Sequence, residues 1–254
     1  MASSATMVRM RNNTRTAILL IILLTIMSSL YVFNKLADVP VEMDEQPTIS
    51  FDGKVPPEIS RGDTSRKQVI FTFDAGSGTL SVVPILAALK KHGVKGTFFI
   101  TGKWVLQNPE LVRMIAACGH EIFNHSFDHP HLTELTDSEV GSQLMRMNDT
   151  LVGLVGSSTK PYFRPPFGDR DERVLKLAAE SGYQSIYWTI DARDWMEDQG
   201  VTADNVKYTI LSNLQPGMII LMHVGDTITG SILDEVLTTI EEIGYKAVSL
   251  TQGL

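Results

Sequence analysis

The chain has 254 residues, enough for one sizeable domain and an appendage. Its 43% hydrophobic and 20% charged residues are ordinary proportions for a globular protein. The formal net charge of -7 argues against nucleic acid as the main partner, because phosphate binding requires clustered Lys and Arg.

The N-terminal part contains an uncharged apolar run over residues 16–33. Its length just reaches the ~18 to 20 residues that cross a bilayer as a helix. Arg9, Arg11 and Arg15 precede the run and acidic residues follow it, a bias that leaves residues 1–15 in the cytoplasm. We therefore expect a single-pass membrane anchor with the remainder extracytoplasmic. Secretion after signal cleavage is the alternative, although no small-x-small cleavage site follows the run.

Residues 34–66 are predicted to form a flexible linker, since prolines punctuate an acidic, weakly periodic stretch. Strand-like and helix-like runs alternate over residues 67–254. The predicted strands are 68–73, 96–100, 184–188, 218–222 and 245–249. The predicted helices are 80–92, 109–118, 136–155, 171–181, 203–214 and 230–243. This alternation predicts one α/β domain with a mostly parallel sheet, either open or closed into a barrel.

Polar side chains capable of chemistry follow several of these runs. They are Asp74, His125, His129, Arg164, Asp191, Asp194, Trp195 and His223. Each has an ordinary structural role when taken alone, such as an Asp that caps a turn or a His in the core. The spacing of His125 and His129 also suits a metal clamp on one helical turn. Because function collects at the carboxyl ends of parallel strands, their joint occurrence indicates one site.

The ordered set resembles the five motifs of the polysaccharide deacetylases, carbohydrate esterase family four, also called the NodB-homology domain. The matching segments are Thr72–Gly76, His125–His129, Arg164–Gly168, Asp191–Trp195 and Leu221–His223. The resemblance covers about residues 68–254. It implies a distorted (β/α) barrel with the site in a surface groove, and a hydrolase that removes N-acetyl groups from an amino-sugar polymer.

By this resemblance, His125 and His129 would be ligands of a divalent metal. Imidazole nitrogens suit zinc first, with cobalt, manganese or nickel as the other candidates. Such an ion polarises a carbonyl and lowers the pKa of bound water toward about 7.

The resemblance also assigns the proton transfers. Asp74 would be the general base, held by Arg164 through charge-assisted hydrogen bonds. His223 would protonate the departing sugar amine, with Asp194 orienting it. A backbone amide near Phe167 would help to hold the oxyanion.

Trp195 would form a groove wall against a sugar face, with core packing as the alternative for this side chain. The partner implied is an N-acetylated glycan. For an enzyme tethered outside a bacterial membrane, peptidoglycan would be the nearest such polymer.

One position departs from the family pattern, because Ala75 replaces a usual metal-ligand aspartate. We expect metal binding to be weakened about tenfold to a hundredfold or more, by analogy with lost supporting groups. Asp74, a water, or a neighbour such as Asp128 or His131 could fill the position. Two alternatives therefore stay open: a non-catalytic carbohydrate-binding protein, or a metal-dependent hydrolase of another amide or ester.

Overall fold

The structure, a computed structural model, describes residues 51–254. The predicted cytoplasmic segment, the anchor at 16–33 and the first part of the linker lie outside the described residues. Within 51–254, no helix is both long enough and apolar enough to span a membrane.

Parallel strands alternate with helices along the described part of the chain. The strands are β1 Gln68–Ala75, β2 Thr97–Ile100, β3 Glu121–Asn124, β4 Tyr162–Phe163, β5 Gln184–Ser185, β6 Ile190–Asp191, β7 Met218–His223 and β8 Lys246–Val248. The α-helices are α1 Val82–Lys91, α2 Gly102–Gln107, α3 Pro109–Ala117, α4 Asp137–Val155, α5 Glu172–Glu180, α6 Ala203–Ser212, α7 Ile228–Glu242 and α8 Leu250–Gly253. Short 3₁₀ turns cover Leu132–Glu134, Pro166–Gly168 and Asp194–Gln199.

The strands form one sheet in the order β5-β4-β3-β2-β1-β7-β6, and β8 pairs with the first residues of β1. Every pairing between these strands is parallel. The two end strands, β5 and β6, are not paired with each other, so the sheet is a half-barrel rather than a closed barrel. All carboxyl ends lie at one rim, which is where parallel α/β folds place their sites.

The central strand β1 shows why the polar residues collect at that rim. Successive side chains of a strand point to opposite faces. Phe71 and Phe73 join the core between the sheet and the helices, whereas Ile70 joins the cluster on the other face. Thr72 and Asp74 share the face of Ile70, so the inner face becomes polar toward the carboxyl end of the strand.

The helix α4 begins and ends as its sequence predicts. Thr136 and Glu139 form a reciprocal capping box, in which the Thr136 N–H donates to Glu139 Oε2 at 2.8 Å. Gly156 ends the helix with φ of 77°, a conformation that favours glycine. The six-residue helix α2 is absent from the prediction, because it is too short for its periodicity to register.

The packed domain begins earlier than the predicted end of the linker at residue 66. Ile59 pairs with Ile186, and its N–H donates to the carbonyl of Ser185 at 2.9 Å. Glu58 forms an ion pair with Arg170 at 2.7 Å. Isolated bridges and an ion pair carry no periodicity, so sequence patterning could not detect this attachment.

Candidate active site

An ion pair between Asp74 and Arg164 lies at the base of the groove. Arg164 Nη1 donates to Asp74 Oδ1 at 2.7 Å and to Thr72 Oγ1 at 2.9 Å. Asp74 is the last inward-facing residue of β1, and Arg164 follows β4, so two strand ends bring the charges together. Burial favours the neutral acid, but the Arg164 charge, with His125 and His223 nearby, outweighs it and lowers the pKa of Asp74.

Arg164 itself is fully buried and held on every side. Nε donates to the carbonyl of Ile186 and Nη2 to that of Tyr187, while the guanidinium lies 4.2 Å from the centre of the Phe99 ring. Because these contacts hold the planar guanidinium of Arg164 rigidly, it fixes the orientation of Asp74 and keeps the Asp74 carboxylate charged.

Two histidines face the other oxygen of Asp74. His125 Nε2 lies 3.5 Å from Asp74 Oδ2 and 3.2 Å from His129 Nε2. His125 Nδ1 donates to the carbonyl of Arg164 at 2.8 Å, which leaves the lone pair of Nε2 directed into the cluster. Burial lowers the pKa of His125, and burial with the neighbouring His125 lowers that of His129 to about 4. Both rings are therefore neutral at pH 7.

The loop that carries these histidines is not the helical turn suggested by their spacing. Ser126 and His129 have φ of 66° and 63°, and the segment after β3 is irregular. Asn124 supports the loop: its Oδ1 accepts from the Ser126 N–H, and its amide donates to Tyr183 and Thr159. Sequence reasoning missed Asn124, although a buried amide at the end of a strand is a signal of such a loop.

The histidine pair provides part of a metal site. Two nitrogens bound at 2.0–2.1 Å to one tetrahedral ion lie roughly 3.3 Å apart, close to the observed spacing. No group of three His, Cys, Asp or Glu side chains within 51–254 is arranged to hold an ion. The two imidazoles fit a divalent ion, and a third protein ligand is missing.

Ala75, the position at which the family resemblance predicts a carboxylate ligand, has its side chain fully buried within the apolar core cluster. The two neighbours considered as replacements are occupied elsewhere. Asp128 pairs with Lys103 and Arg146, and His131 stacks on Phe167 with its rings 4.3 Å apart. Asp74 is thus the carboxylate nearest to the imidazole pair.

A second dyad lies beside Asp74. His223 is the last residue of β7 and pairs in register with Asp74 on β1. Asp194 Oδ1 accepts from His223 Nδ1 at 2.9 Å, and Asp194 Oδ2 accepts from the His223 backbone N–H at 2.6 Å. Burial opposes the charged imidazolium, but the hydrogen bond and charge of Asp194 outweigh it, so the pKa of His223 is raised. Because Asp194 engages Nδ1, the other ring nitrogen, Nε2, is available to a group bound in the groove.

Exposed aromatic side chains flank the groove. Phe167 is 60% exposed and lies edge-on to His129, with the ring centres 4.4 Å apart. Trp195 is 48% exposed and its Nε1 donates to Asp191 Oδ2 at 3.3 Å. The exposure of Trp195 favours a groove wall over the core-packing alternative.

The structure therefore brings every predicted site residue to one groove of about 860 Å³, directly or through a lining neighbour. Lining side chains include Asp74, His125, His129, Phe167, Asp191, Trp195 and His223. Behind them, Arg164 and Asp194 are fully buried and hold Asp74 and His223. The arrangement places a charged carboxylate and an imidazole of raised pKa side by side, next to a pair of neutral imidazoles, which suits hydrolysis of an amide.

This fold and site define a polysaccharide deacetylase, and the predicted enzyme class is confirmed at the level of the family. Residues 61–186 match the family described as polysaccharide deacetylase. The chain belongs to this family, carbohydrate esterase family four. It spans 63% to 72% of the length of several curated relatives.

Several relatives carry names that state a substrate, and two of them are from Bacillus species. Peptidoglycan-N-acetylmuramic acid deacetylase PdaA of Bacillus subtilis is 33% identical over 74% of this chain and 72% of its own. A peptidoglycan-N-acetylglucosamine deacetylase of Bacillus cereus is 35% identical over 74% of this chain and 69% of its own.

The chain is also similar to a solved structure described as a pseudoenzyme. BA3943 of Bacillus anthracis, called a family pseudoenzyme, matches with TM-score 0.74 and 32% identity over 82% of this chain and 72% of that one. A BA3943 mutant described as having restored enzymatic activity matches with TM-score 0.74 and 33% identity, over 82% of this chain and 74% of that one. The fold is thus shared with a protein described as a pseudoenzyme and with its mutant described as having restored activity.

Proposed function

We propose that this chain is a metal-dependent hydrolase that removes N-acetyl groups from peptidoglycan. The observation that carries the proposal is the pairing in register of Asp74 and His223, with each held by its own buried partner. A base and an acid on adjacent strand ends can act in turn on one bound amide.

The first step uses Asp74 as the base. Oδ1 is held by Arg164, so Oδ2 is the oxygen available to take a proton from an attacking water. The water oxygen bonds to the acetyl carbonyl carbon, and the π electrons of the C=O bond move onto the carbonyl oxygen. A backbone amide near Phe167 is proposed to stabilise this oxyanion.

The second step uses His223 as the acid. Its raised pKa favours the charged imidazolium, and Nε2 gives its proton to the amine nitrogen as the carbon–nitrogen bond of the tetrahedral species breaks. Acetate and a free amine leave, and His223 and Asp74 return to their starting protonation states through solvent. Asp194 is proposed to orient the ring throughout.

His125 and His129 are proposed to hold the divalent ion, which when bound would polarise the acetyl carbonyl. Their neutral rings and 3.2 Å spacing support this role. Zinc suits imidazole ligands best, with cobalt, manganese and nickel also suitable. Since Ala75 supplies no carboxylate, we propose that the ion is bound weakly.

The substrate and location are part of the proposal. The names of the two curated relatives support peptidoglycan, and both of its amino sugars carry the required acetamide. The apolar run at 16–33 supports attachment to the cell membrane with the groove outside the cytoplasm. Trp195 and Phe167 are proposed to contact the sugar rings, because both expose aromatic surface at the groove.

A non-catalytic carbohydrate-binding protein is the second candidate. The specific observation that favours it is Ala75 at the position of a family metal ligand, together with the likeness to a pseudoenzyme. Such a protein would bind the glycan without metal, and binding would survive Asp74→Asn.

Acetate release decides between the two. The full chain in detergent is assayed on peptidoglycan and on chitin oligomers, with chelator and then with each candidate metal restored. Metal-dependent release from peptidoglycan that is lost in both Asp74→Asn and His125→Ala supports the proposal. Asp198→Asn, which removes an exposed carboxylate from the groove edge, serves as the matched control.

Two results would count against the deacetylase. Absence of acetate with every metal, accompanied by metal-independent retention on peptidoglycan, supports the binding protein. Release that persists in Asp74→Asn shows that another residue acts as the base.

A further inference from the structure

A second carboxyl group lies next to Asp194. Asp226, in the loop between β7 and α7, lines the same groove. Its Oδ1 accepts a hydrogen bond from the backbone N–H of Thr229 at 2.8 Å, while the Thr229 hydroxyl donates to Asp194 Oδ2. Thr229 therefore holds both carboxyl groups at once through two different donors.

The remaining oxygen of Asp226 has no partner. Oδ2 is buried and makes no hydrogen bond to any described residue. Asp194 cannot supply a donor, because its two oxygens already accept from His223 and Thr229. A buried carboxylate oxygen without a hydrogen-bond partner destabilises the folded state. A proton on Asp226 Oδ2 would convert this unpaired acceptor into a donor.

The negative charges around Asp226 also favour its protonated form. Burial, and next the charge of Asp194, raise the pKa of Asp226 to about 6. The titratable groups around the loop are Asp74, His125, His129, Asp191, Asp194, Glu197, Asp198 and His223. Most are carboxylates, and Glu197 also accepts from the neighbouring Thr227. No lysine or arginine side chain of the described residues lines this groove.

We propose that Asp226 is a positioning residue for His223: Asp226 holds a proton beside the Asp194 carboxylate, and the charge of this carboxyl pair sets how firmly His223 holds its own proton. Below about pH 6 the pair carries one negative charge, and above it two. The second charge strengthens the hold of His223 on its proton, because an added opposite charge nearby favours the imidazolium. The pair thereby keeps His223 protonated to a higher pH than Asp194 alone.

Asp226, one residue before the N-cap Thr227, also accepts a hydrogen bond from the first turn of α7, and one substitution separates the two roles. Asparagine retains the Oδ1 acceptor for Thr229, and Asn and Asp are equally good helix caps. The asparagine amide N–H donates from the position that the proton of Asp226 would occupy. Asparagine cannot ionise, so the pair cannot gain its second negative charge. Asp226→Asn therefore fixes the singly charged state of the pair without removing the cap.

The test follows the His223 ring directly by NMR. The full chain in detergent, labelled in its histidine rings, is titrated from pH 5 to pH 9 with chelator present, and the His223 signals are assigned with His223→Gln. Asp226→Asn is expected to lower the pKa of His223 by about one unit. Asp198→Asn, which removes a groove carboxylate that has no recorded contact with Asp194, is expected to shift it by less than about 0.3 unit because exposed charges are screened.

An Asp226→Asn titration that superimposes on the wild type overturns the proposal and leaves Asp226 a helix cap only. The relevance to catalysis rests on the proposed function, but the titration requires no turnover. A shifted His223 in a chain that releases no acetate therefore overturns the deacetylase while this proposal stands. If the chain is active, Asp226→Asn should also move the alkaline limb of its kcat/KM profile to lower pH.

Discussion

At the scale of single residues, Ala75 is where the site departs from the family pattern that the rest of the motifs match. Its methyl group lies in the apolar cluster behind β1, while the adjacent Asp74 faces the groove. A carboxylate introduced at this position loses its hydration unless an ion compensates it. We therefore expect Ala75 to favour the stability of the metal-free protein, and an aspartate at this position to favour metal binding.

Ala75→Asp should lower the Tm in chelator and restore it on addition of zinc, with a larger zinc-dependent rise than in the wild type. The reason is linkage: a tighter ligand stabilises the folded state more at the same concentration. Differential scanning fluorimetry with and without zinc measures both effects. Ala75→Asn, similar in size but uncharged, is the control. An equal zinc-dependent rise in all three proteins would show that position 75 is not a ligand position.

Arg164→Lys should destabilise the fold by about 2 kcal/mol or more, because a lysine cannot satisfy the partners of a buried guanidinium fork. Arg164 contacts Asp74, Thr72 and two backbone carbonyls with no exposure to solvent. Urea unfolding gives the free-energy change. Arg170→Lys, at a partly exposed ion pair with Glu58, should cost less than about 1 kcal/mol. Equal losses at both positions would contradict the argument.

At the scale of elements, His92 joins two helices far from the groove. It follows α1, and its ring nitrogens contact Asp234 at 2.9 Å and Glu241 at 3.1 Å, both on α7. Burial of the ring opposes the charge, but the hydrogen bonds to these carboxylates outweigh it and raise the pKa of His92. The contact between α1 and α7 therefore depends on pH.

The expected direction follows from the raised pKa. The stabilisation is fully present below the unfolded value near 6.5 and is lost as pH rises through the folded value. The Tm difference between wild type and His92→Gln should be largest near pH 5.5 and shrink toward pH 8.5. Lys91→Gln removes another partner of Asp234, and its effect should stay constant because lysines remain charged over this range. A His92→Gln effect that does not vary with pH would refute the assignment.

The elements also show what the sequence could predict and what it could not. The long helices and β1 were predictable, because their periodicity and caps are local signals. The two-residue strands β4 and β6 were not, since they exist only through pairing with longer neighbours. The groove residues were found by motif resemblance. Asn124 was missed because its buried hydrogen bonds join distant parts of the chain. Asp226 was missed because its importance comes from burial beside Asp194, which only the folded chain brings close to it.

At the scale of the whole molecule, the domain needs the segment before β1. Ile59 and Glu58 connect this segment to β5 and to Arg170. A chain that begins at residue 67 should have a lower Tm than one that begins at residue 51, because it loses these contacts and exposes the apolar surface beneath Ile59. Thermal unfolding of the two truncated chains measures this. Identical Tm values would place the domain boundary at the predicted residue 66.

The position of β1 in the sheet also determines when the molecule can fold. Its partners β7 and β8 follow it by about 150 and 180 residues, so the centre of the sheet is completed by the last strands to be synthesised. Until then the phenylalanine-rich β1 has one flank unpaired, a state that favours aggregation and chaperone binding. Nascent chains arrested before β7 should therefore remain protease-sensitive, and resistance should arise only when the C-terminal strands have emerged.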